Sequence, residues 1–458
     1  MANAMIAKQR AFSSAENAVL NVSRKFCGFF RVGEILHLRG PFISLDALRT
    51  AVGCLQRRHP FLRSRLKNNP GSSNTYFMEE DSTLRLKICE IPRKRDQHLQ
   101  FWKQEWRERE KDIPIVGEGL AEFWLLQDPD DREDDQAPRE IIIICEHCIC
   151  DGLSISAIAH ELLLALSEEN GSMFKKSFDW PMSMETAIES TVSRLKRITI
   201  LSKFLAAVTY QQMTVMRKLT RIPYENINFE VRNAHEHCHS EAFYDSLTKA
   251  ESRTLFDKCH RQGVTVTSAI SAAILRAMST IVNDKNGYLA HFTTADLRRR
   301  YVPPMANNIL SYQMGVTDTF YFPVNEIPTN STEIWNLARI YGQHIKHSID
   351  AADAFASGMI TGKVYEKEEG PLNPTGVLTC GISNWGRLTF HEQYGRWKLE
   401  GITPAGNLVR SFTPLAIVFT INDVLTIGQG GPVPLFSSNI LQQLQNDTMQ
   451  HLREMINN

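Results

Sequence analysis

The strongest group of chemically useful side chains lies at residues 146–152 (EHCICDG), between an apolar run and a helical stretch. His147 carries an imidazole that exchanges a proton near neutral pH, and Asp151 and Gly152 follow it closely. A histidine held at the end of a rigid element is suited to act as a general base. The same spacing fits a buried structural histidine beside an aspartate that caps the next helix. The spacing by itself leaves both interpretations open.

Clusters of cysteine and histidine side chains could also form a zinc site, because thiolates and imidazoles are the preferred ligands of zinc. Two groups occur, Cys145, His147, Cys148 and Cys150 in the first and His235, His237 and His239 in the second. Side chains alternate faces along a strand, which separates the first two members of the first group from the last two. The second group would share one face of a strand, but no fourth ligand is evident nearby, and an exposed polar face explains it equally well. The sequence therefore predicts no metal site.

A glycine-rich segment at residues 428–431 (GQGG) is the next candidate for a binding loop. Phosphate-binding loops of the Walker and dinucleotide types lead into a helix. Here Pro432 and Pro434 follow instead. The pattern predicts a turn with no phosphate-binding role.

The elements on either side of His147 are predicted by their apolar patterns. Residues 141–145 (IIIIC) form a run rich in β-branched residues, which is typical of a strand buried on both faces. Residues 153–166 have helical periodicity. The predicted order is therefore strand, polar loop, helix, with an acidic surface loop at 128–140 before the strand.

Further elements follow from caps and periodicity. A serine before an apolar series predicts a helix start near residues 12–16, and apolar residues at intervals of three and four predict a helix over 45–57 that ends before Pro60. A long helical segment is predicted between about 182 and 222. Thr267 or Ser268 is predicted to cap a helix over 269–278. Strands are predicted near 35–38, 288–293, 375–382 and 415–421.

The composition excludes several classes of protein. The chain has 458 residues, of which 43% are hydrophobic, and 51 basic side chains balance 51 acidic ones. A balanced charge gives no net field to attract nucleic acid or an anionic surface. Nine cysteines are too few for a disulfide scaffold, and the N-terminus lacks the layout of a secretory signal, so we expect a cytoplasmic protein.

Membrane association is judged from apolar runs. No run of eighteen apolar residues occurs, so no spanning helix is expected. The segment 198–208 (ITILSKFLAAV) is apolar and flanked by basic residues. That pattern fits a helix lying on a membrane, and it fits equally a helix that covers a domain surface, which is the interpretation we favour.

The motifs resemble, in order along the chain, those of the chloramphenicol acetyltransferase superfamily, which includes condensation domains, BAHD acyltransferases, alcohol acetyltransferases and polyketide-associated acyltransferases. The matching segments are 12–16 (FSSAE), 57–63 (RRHPFLR), 147–152 (HCICDG), 264–278 (VTVTSAISAAILRAM), 295–300 (ADLRRR) and 383–386 (SNWG). Two departures occur. Glu146 stands where condensation domains usually carry a first histidine, and the BAHD motif DFGWG is present only in part. These departures favour a free-standing acyltransferase.

The resemblance implies an α/β fold of two acetyltransferase-like domains, each a mixed sheet with helices, with a tunnel at their interface. The expected domains are 1–180, which carries the HxxxDG motif, and 225–458, joined by a helical connector at 181–224. The expected co-substrate is an acyl-CoA or an acyl group on a phosphopantetheine arm, with no other cofactor. The acceptor is expected to be a hydroxyl of a small natural product, and the protein a monomer.

The resemblance also implies roles for individual residues. His147 would be the general base, and Asp151 a structural brace that pairs with Arg298, or with Arg300 as the alternative. Gly152 would allow a close turn. The remaining candidates come from the SNWG segment: Asn384 as a hydrogen-bond donor to the oxyanion, and Trp385 and Ser383 as substrate-binding residues.

Three functions remain open at this point. The first is O-acyl transfer from a soluble acyl-CoA. The second uses the same fold with a polyketide or peptidyl chain bound to a carrier protein as donor. The third is a docking module without catalysis. The fold alone does not separate them.

Overall fold

The protein is described by a computed structural model that covers residues 8–72, 74–167, 171, 173–215, 218–225, 227–330, 332–367 and 379–457. The chain forms two compact units. The first comprises Met1–Ala187, Pro304–Gln313 and Leu388–Asn407, and the second comprises Ile188–Pro303, Met314–Arg387 and Leu408–Asn458. Two short later segments therefore return to the first unit.

The described strands are β1 Gln9–Ala11, β2 Val32–Arg39, β3 Ser64–Asn68, β4 Tyr76–Glu80, β5 Lys87–Pro92, β6 Ala121–Gln127, β7 Pro138–Cys145, β8 His239–Ser246, β9 Tyr288–Asp296, β10 Met314–Val316, β11 Phe320–Pro323, β12 Cys380–Arg387, β13 Gln393–Tyr394, β14 Trp397–Gly406, β15 Leu415–Ile421 and β16 Val424–Val433. The described α-helices are α1 Ser14–Lys25, α2 Leu45–Arg58, α3 Phe101–Arg109, α4 Gly152–Leu166, α5 Met184–Thr191, α6 Arg194–Thr214, α7 Ala234–His237, α8 Lys249–Gln262, α9 Val266–Ile281, α10 Ile334–Asp350, α11 Asp353–Lys367 and α12 Ser438–Asn457.

The first unit contains a sheet in the order β13-β14-β2-β7-β6-β5. Only β5 and β6 pair in parallel, and the other neighbours are antiparallel. All eight residues of β7 are buried, and β2 and β6 flank it on its two sides. The predicted strand buried on both faces is confirmed, and it begins earlier, at Pro138. Such a central strand gives the residues that follow it a rigid base.

The second unit contains a sheet in the order β10-β9-β12-β15-β16-β8, with β11 also pairing with β9. Strand β12 runs parallel to both β9 and β15. Helices α9, α10 and α12 supply much of the apolar core of this unit, because their buried faces pack together with residues of β12, β15 and β16. The mixed α/β class predicted from the sequence is confirmed for both units.

Most predicted helices are present. α2 ends at Arg58, with His59 as its C-cap before Pro60. Ser13 caps α1 within a capping box that includes Glu16. The long segment between 182 and 222 is interrupted, because α5 ends at Thr191 and α6 begins at Arg194. Among the described residues, no single helix is long and apolar enough to cross a membrane, and one bent pair, α8 with α9, meets that test only jointly.

Two boundaries differ from the predictions. The cap of α9 is Thr265, whose hydroxyl accepts a hydrogen bond from the Ser268 amide, so the prediction of Thr267 or Ser268 as the cap is wrong. Gly263 ends α8 in a left-handed conformation, which leaves room for α9 to start earlier. The strand predicted over 375–382 is observed from Cys380 onward, and its positions 375–378 lie outside the described residues.

The histidines at 235, 237 and 239 do not share a strand face, so that prediction is wrong. Ala234–His237 is a short helix, and β8 begins only at His239. The histidines occur at every second position, but the backbone around the first two is helical, so their side chains do not point to one side as they would in a strand.

The segment 428–431 is not a turn, so that prediction is also wrong. It lies within β16 and pairs with β8, where Gly428 stands opposite Tyr244 and Gly430 opposite Ala242. A Cβ atom added at Gly428 would overlap the ring of Tyr244. Glycine is required here because the neighbouring strand's side chain approaches the backbone closely.

We predict that Gly428→Ala lowers the free energy of unfolding by about 1–3 kcal/mol, because the added methyl group displaces a packed ring. Urea unfolding followed by circular dichroism measures the change. Gly401→Ala is the matched control, since Gly401 also lies in a strand and an added Cβ there meets nothing within 4 Å. Equal effects of the two substitutions would contradict the packing argument.

Candidate functional site

The HxxxDG segment follows the central strand of the first unit. β7 ends at Cys145, His147–Ile149 form one turn of 3₁₀-helix, and α4 begins at Gly152. The Glu146 amide donates to the Leu120 carbonyl at 3.0 Å, which ties the end of the strand to the neighbouring segment. His147 is half-buried, whereas the residues on both sides of it are buried.

The imidazole of His147 has one orientation fixed by the backbone. Its Nδ1 lies 2.7 Å from the carbonyl oxygen of Cys150. A carbonyl oxygen only accepts hydrogen bonds, so Nδ1 must carry a proton and donate it. In the neutral ring, Nε2 then keeps its lone pair. The rings of Phe30 and Tyr312 contact the imidazole edge to face, with centroids 6.3 and 5.3 Å away. The ring is therefore oriented and its tautomer set for accepting a proton at Nε2.

Glu146, which stands where condensation domains carry a first histidine, forms a buried ion pair. Its Oε1 lies 3.2 Å from Arg31 Nε, and its Oε2 accepts a hydrogen bond from Ser23 Oγ at 2.7 Å. Burial raises the pKa of Glu146, and the positive charge of Arg31 opposes this rise. Arg31 also pairs with Glu122 at 3.0 Å. This network joins α1, β6 and the residue before β2 to the start of the histidine turn.

Sequence reasoning missed Ser23 and Arg31. Each lies more than a hundred positions before Glu146, and a single sequence carries no signal that links them. The pairing of β2 with β7 brings Arg31 to the end of the strand, and the packing of α1 against the histidine turn brings Ser23 there.

Asp151 caps α4. Its Oδ1 accepts hydrogen bonds from the amide and the hydroxyl of Ser154, each at 3.0 Å. Its Oδ2 accepts a third from the Gln313 amide, also at 3.0 Å. The helix cap that the sequence left open is present, and the same carboxylate holds the returning segment Pro304–Gln313. Gly152 is the first residue of α4, and its φ lies outside the left-handed region.

Arg298 and Arg300 lie in the second unit, in the turn after β9. The side chain of Arg298 is fully buried, and its Nη1 lies 3.0 Å from Oδ1 of Asp296. Arg300 is exposed. The pairing of Asp151 with either arginine stays a prediction.

Ser383, Asn384 and Trp385 lie together on β12 of the second unit. Trp385 is an extra residue in the pairing of β12 with β15, because the register shifts between Asn384 and Gly386. Such a bulge redirects side chains and is frequent near active sites. The Asn384 amide donates from Nδ2 to Thr267 Oγ1 at 2.8 Å, and the Trp385 indole donates to Ser383 Oγ at 3.1 Å. These bonds orient the side chains, while their predicted roles toward substrate stay predictions.

The cysteines around His147 are arranged differently from the strand-based expectation. The 3₁₀ turn breaks the alternation of faces, and the Cys150 thiol donates to the Glu146 carbonyl oxygen at 3.5 Å. Burial raises the pKa of Cys148 and of Cys150 well above the usual range for a thiol. Both side chains are therefore neutral thiols at physiological pH, and neither is activated as a nucleophile.

A different cluster holds three side chains of the kind that bind metals. Nδ1 of His37 and Nδ1 of His98 each lie 3.3 Å from Oε1 of Glu140. Arg93 pairs with the same carboxylate at 2.9 Å through Nε, and its Nη2 lies 3.4 Å from His98 Nδ1. Burial would raise the pKa of Glu140, but hydrogen bonds from the two imidazoles and the arginine charge lower it. The guanidinium already balances the carboxylate, so we interpret the cluster as an ion-pair network.

Glu34 is a second buried acid near α4. It lies on β2, is fully buried, and its Oε2 accepts a hydrogen bond from Ser156 Oγ at 2.6 Å. Burial raises the pKa of Glu34 to about 8, and the bond from Ser156 only partly opposes this rise. At neutral pH the carboxyl is therefore mainly protonated, and it links β2 to α4 without a buried charge.

We predict that Asp151→Ala lowers the free energy of unfolding by about 1–3 kcal/mol, because it removes a helix cap and leaves the buried Gln313 amide without an acceptor. Urea unfolding measures the loss. Ser44→Ala is the matched control, since Ser44 caps the exposed start of α2 through one amide bond. If the two substitutions cost the same, the bond to Gln313 contributes nothing to stability.

We predict a pH-dependent effect of Glu34→Gln. In the wild type the pKa of Glu34 is higher in the folded than in the unfolded chain, so the contribution of this carboxyl to stability falls as the pH rises from about 4.5 to about 8. Glutamine cannot ionise, so the variant does not lose this stability as the pH rises. Relative to the wild type, the variant should be more stable at pH 8.5 than at pH 5, as measured by urea unfolding at both values. The exposed Glu133→Gln is the control, and a constant difference for Glu34→Gln across this range would contradict a protonated Glu34.

Comparison with known proteins places these features in a wider group. Residues 244–394 match the family model described as phthiocerol/phthiodiolone dimycocerosyl transferase C-terminus. That stretch includes Arg298 and the SNWG segment but not His147. No curated protein matches the sequence.

Solved structures of similar fold cover the chain almost completely. The trichothecene 15-O-acetyltransferase TRI3 from Fusarium sporotrichioides matches with a TM-score of 0.76 and 13% identity, over 98% of this chain and 96% of that one. Polyketide synthase associated protein 5 from Mycobacterium tuberculosis matches with a TM-score of 0.68 and 17% identity, over 97% and 98%. The first condensation domain of the CDA synthetase matches with a TM-score of 0.67 and 12% identity, over 98% and 96%.

These neighbours share the fold and differ in chemistry, and their identities are too low to transfer a substrate. Their fold agrees with the two mixed α/β units of this chain. The resemblance drawn from the sequence is thereby confirmed, and the chain has the fold of the chloramphenicol acetyltransferase and condensation-domain superfamily.

Proposed function

We propose that the protein is an acyltransferase that moves an acyl group from a soluble acyl-CoA to a hydroxyl of a small hydrophobic natural product, with His147 as the general base. The observation that carries this proposal is the bond from His147 Nδ1 to the Cys150 carbonyl, which leaves the lone pair on Nε2. The motif order and the acyltransferase neighbours support the same chemistry.

In the proposed reaction, Nε2 of His147 accepts the proton of the acceptor hydroxyl while the oxygen attacks the thioester carbonyl. A tetrahedral oxyanion forms, and Asn384 is our proposed hydrogen-bond donor to it. The carbon–sulfur bond then breaks, and the proton passes from Nε2 to the departing thiolate. The products are an ester and a free thiol.

Direct transfer fits the surroundings of His147 better than a covalent enzyme intermediate. Cys148 and Cys150, the thiols that follow His147 in the sequence, are buried, and their raised pKa keeps them protonated. A thioester is already activated toward attack, so base catalysis is sufficient.

A carrier-bound donor is the alternative within the same chemistry. The polyketide synthase associated protein and the condensation domain among the structural neighbours favour it. The two donors are distinguished by supplying the same acyl chain once on coenzyme A and once on an acyl carrier protein, each with a fatty or terpenoid alcohol as acceptor.

We predict that His147→Ala lowers kcat by about 10²- to 10⁴-fold, the usual contribution of a general base, without changing the circular dichroism spectrum. Turnover with a panel of acyl-CoA or carrier-bound donors measures the loss. His391→Ala is the matched control, because His391 is an exposed histidine of the same unit. Full activity of His147→Ala would overturn the proposed role and would favour a docking module.

A further inference from the structure

Helix α6 exposes an unusual number of large apolar side chains. Eleven such side chains are exposed among the described residues, and five of them lie on this one helix. They are Leu195, Ile198, Leu205, Tyr210 and Met213. Two of them, Leu195 and Met213, are each 77% exposed. Scattered apolar residues are common on protein surfaces, but a concentration on one element marks an interaction surface.

The other face of α6 holds the helix to the second unit. Ile200 is buried, Phe204 is half-buried, and the helix packs against α11. Arg197 pairs with Glu189 at 2.7 Å. The helix is therefore apolar on two opposite faces, and only one of them is used for packing within the unit.

The five exposed side chains form a continuous stripe. At about 100° per residue they fall within an arc of roughly 140°, which also contains Thr199, Ser202, Ala206 and Thr209. The stripe runs along the whole helix, whose 21 residues span about 31 Å.

Positive charges border this stripe on both sides. At the same angular step, Arg194 lies on one side, and Lys196 and Lys203 lie on the other. The helix contains no aspartate or glutamate, and no described residue lies within ion-pair distance of these three cations. One border therefore carries one cation and the other carries two, which gives this surface a local positive charge although the net charge of the chain is zero. An apolar stripe bordered by basic residues is typical of a helix that lies on an anionic membrane surface.

We propose that α6 binds the surface of an anionic phospholipid membrane, with the apolar stripe among the acyl chains and the flanking cations at the headgroups. A lipid surface fits better than a protein partner because the exposed apolar side chains extend over the full length of the helix, and a membrane surface can contact all of them at once. It also accepts long basic side chains on both borders, where their apolar stems lie along the hydrocarbon and their charges reach the phosphates.

Flotation with lipid vesicles tests this proposal on the full-length protein. Vesicles of phosphatidylcholine alone are compared with vesicles of an equimolar mixture of phosphatidylcholine and phosphatidylserine. We expect the protein to float with the mixed vesicles, at least tenfold more tightly than with phosphatidylcholine alone, and to be released as the salt concentration rises.

Two double variants separate the two contributions. Ile198→Ser with Leu205→Ser removes apolar contact, and Lys196→Glu with Lys203→Glu reverses charge. Each should weaken binding to the mixed vesicles at least tenfold with an unchanged circular dichroism spectrum, since all four side chains are exposed. Val302→Ser is the matched control, because Val302 is a 70% exposed apolar residue outside α6 and should leave binding unchanged.

The outcomes decide between lipid and protein. Failure of the wild type to bind mixed vesicles, or equal binding by both double variants, overturns the proposal. If the protein binds an acidic acyl carrier protein but not vesicles, and both double variants lose that binding, the stripe is assigned to the carrier protein instead. A dimer in light scattering that the apolar variant dissociates would assign it to a second copy. His147→Ala should bind vesicles as the wild type does, so failure of the proposed catalysis and failure of membrane binding are independent results.

Discussion

The hydrogen bond from His147 to the carbonyl of Cys150 is the constraint on which the candidate chemistry depends. It chooses the tautomer, and thereby decides which ring nitrogen is basic. The bond exists because the chain makes one 3₁₀ turn between a central strand and a helix, which brings the carbonyl oxygen three positions later to Nδ1 of the ring. A longer or shorter connection would keep the histidine and lose the orientation.

Three carboxyl groups close to this turn are buried, and each avoids the cost of burial in a different way. Glu146 pairs with the guanidinium of Arg31, Asp151 accepts two backbone amides and a hydroxyl, and Glu34 holds its proton. The first two fix the two ends of the turn, and the third joins β2 to the helix that follows. The segment that carries His147 is therefore held by an ion pair, by hydrogen bonds to a carboxylate and by a neutral carboxyl. No single change of pH or ionic strength disrupts all three interactions.

Apolar side chains have different functions in the two parts of the second unit. On α9 they are buried in the core, whereas on α6 they cover both faces. Because α6 carries apolar side chains on two opposite faces with cations between them, its sequence fits both a surface-covering helix and a membrane-associated one. In the structure, the buried face of α6 packs within the second unit, whereas the exposed face is available to bind a membrane surface.

The sequence alone determined the features that depend on local spacing. These include the strand, loop and helix around His147, the limits of α2 and β15, and the ordered motifs that indicated the superfamily. Each follows from periodicity or from a cap within a few residues.

Tertiary structure decided the features that depend on distant strands. Arg31 reaches Glu146 only because β2 pairs with β7, and the Gln313 amide reaches Asp151 only because the segment Pro304–Gln313 returns to the first unit. The prediction of a turn at Gly428 is wrong because the ring of Tyr244, which excludes a side chain there, belongs to another strand. Local spacing specifies individual helices and strands. Burial and the identity of a polar partner are set by segments that lie far apart in the sequence, and a single sequence contains no readable pattern for contacts between such segments.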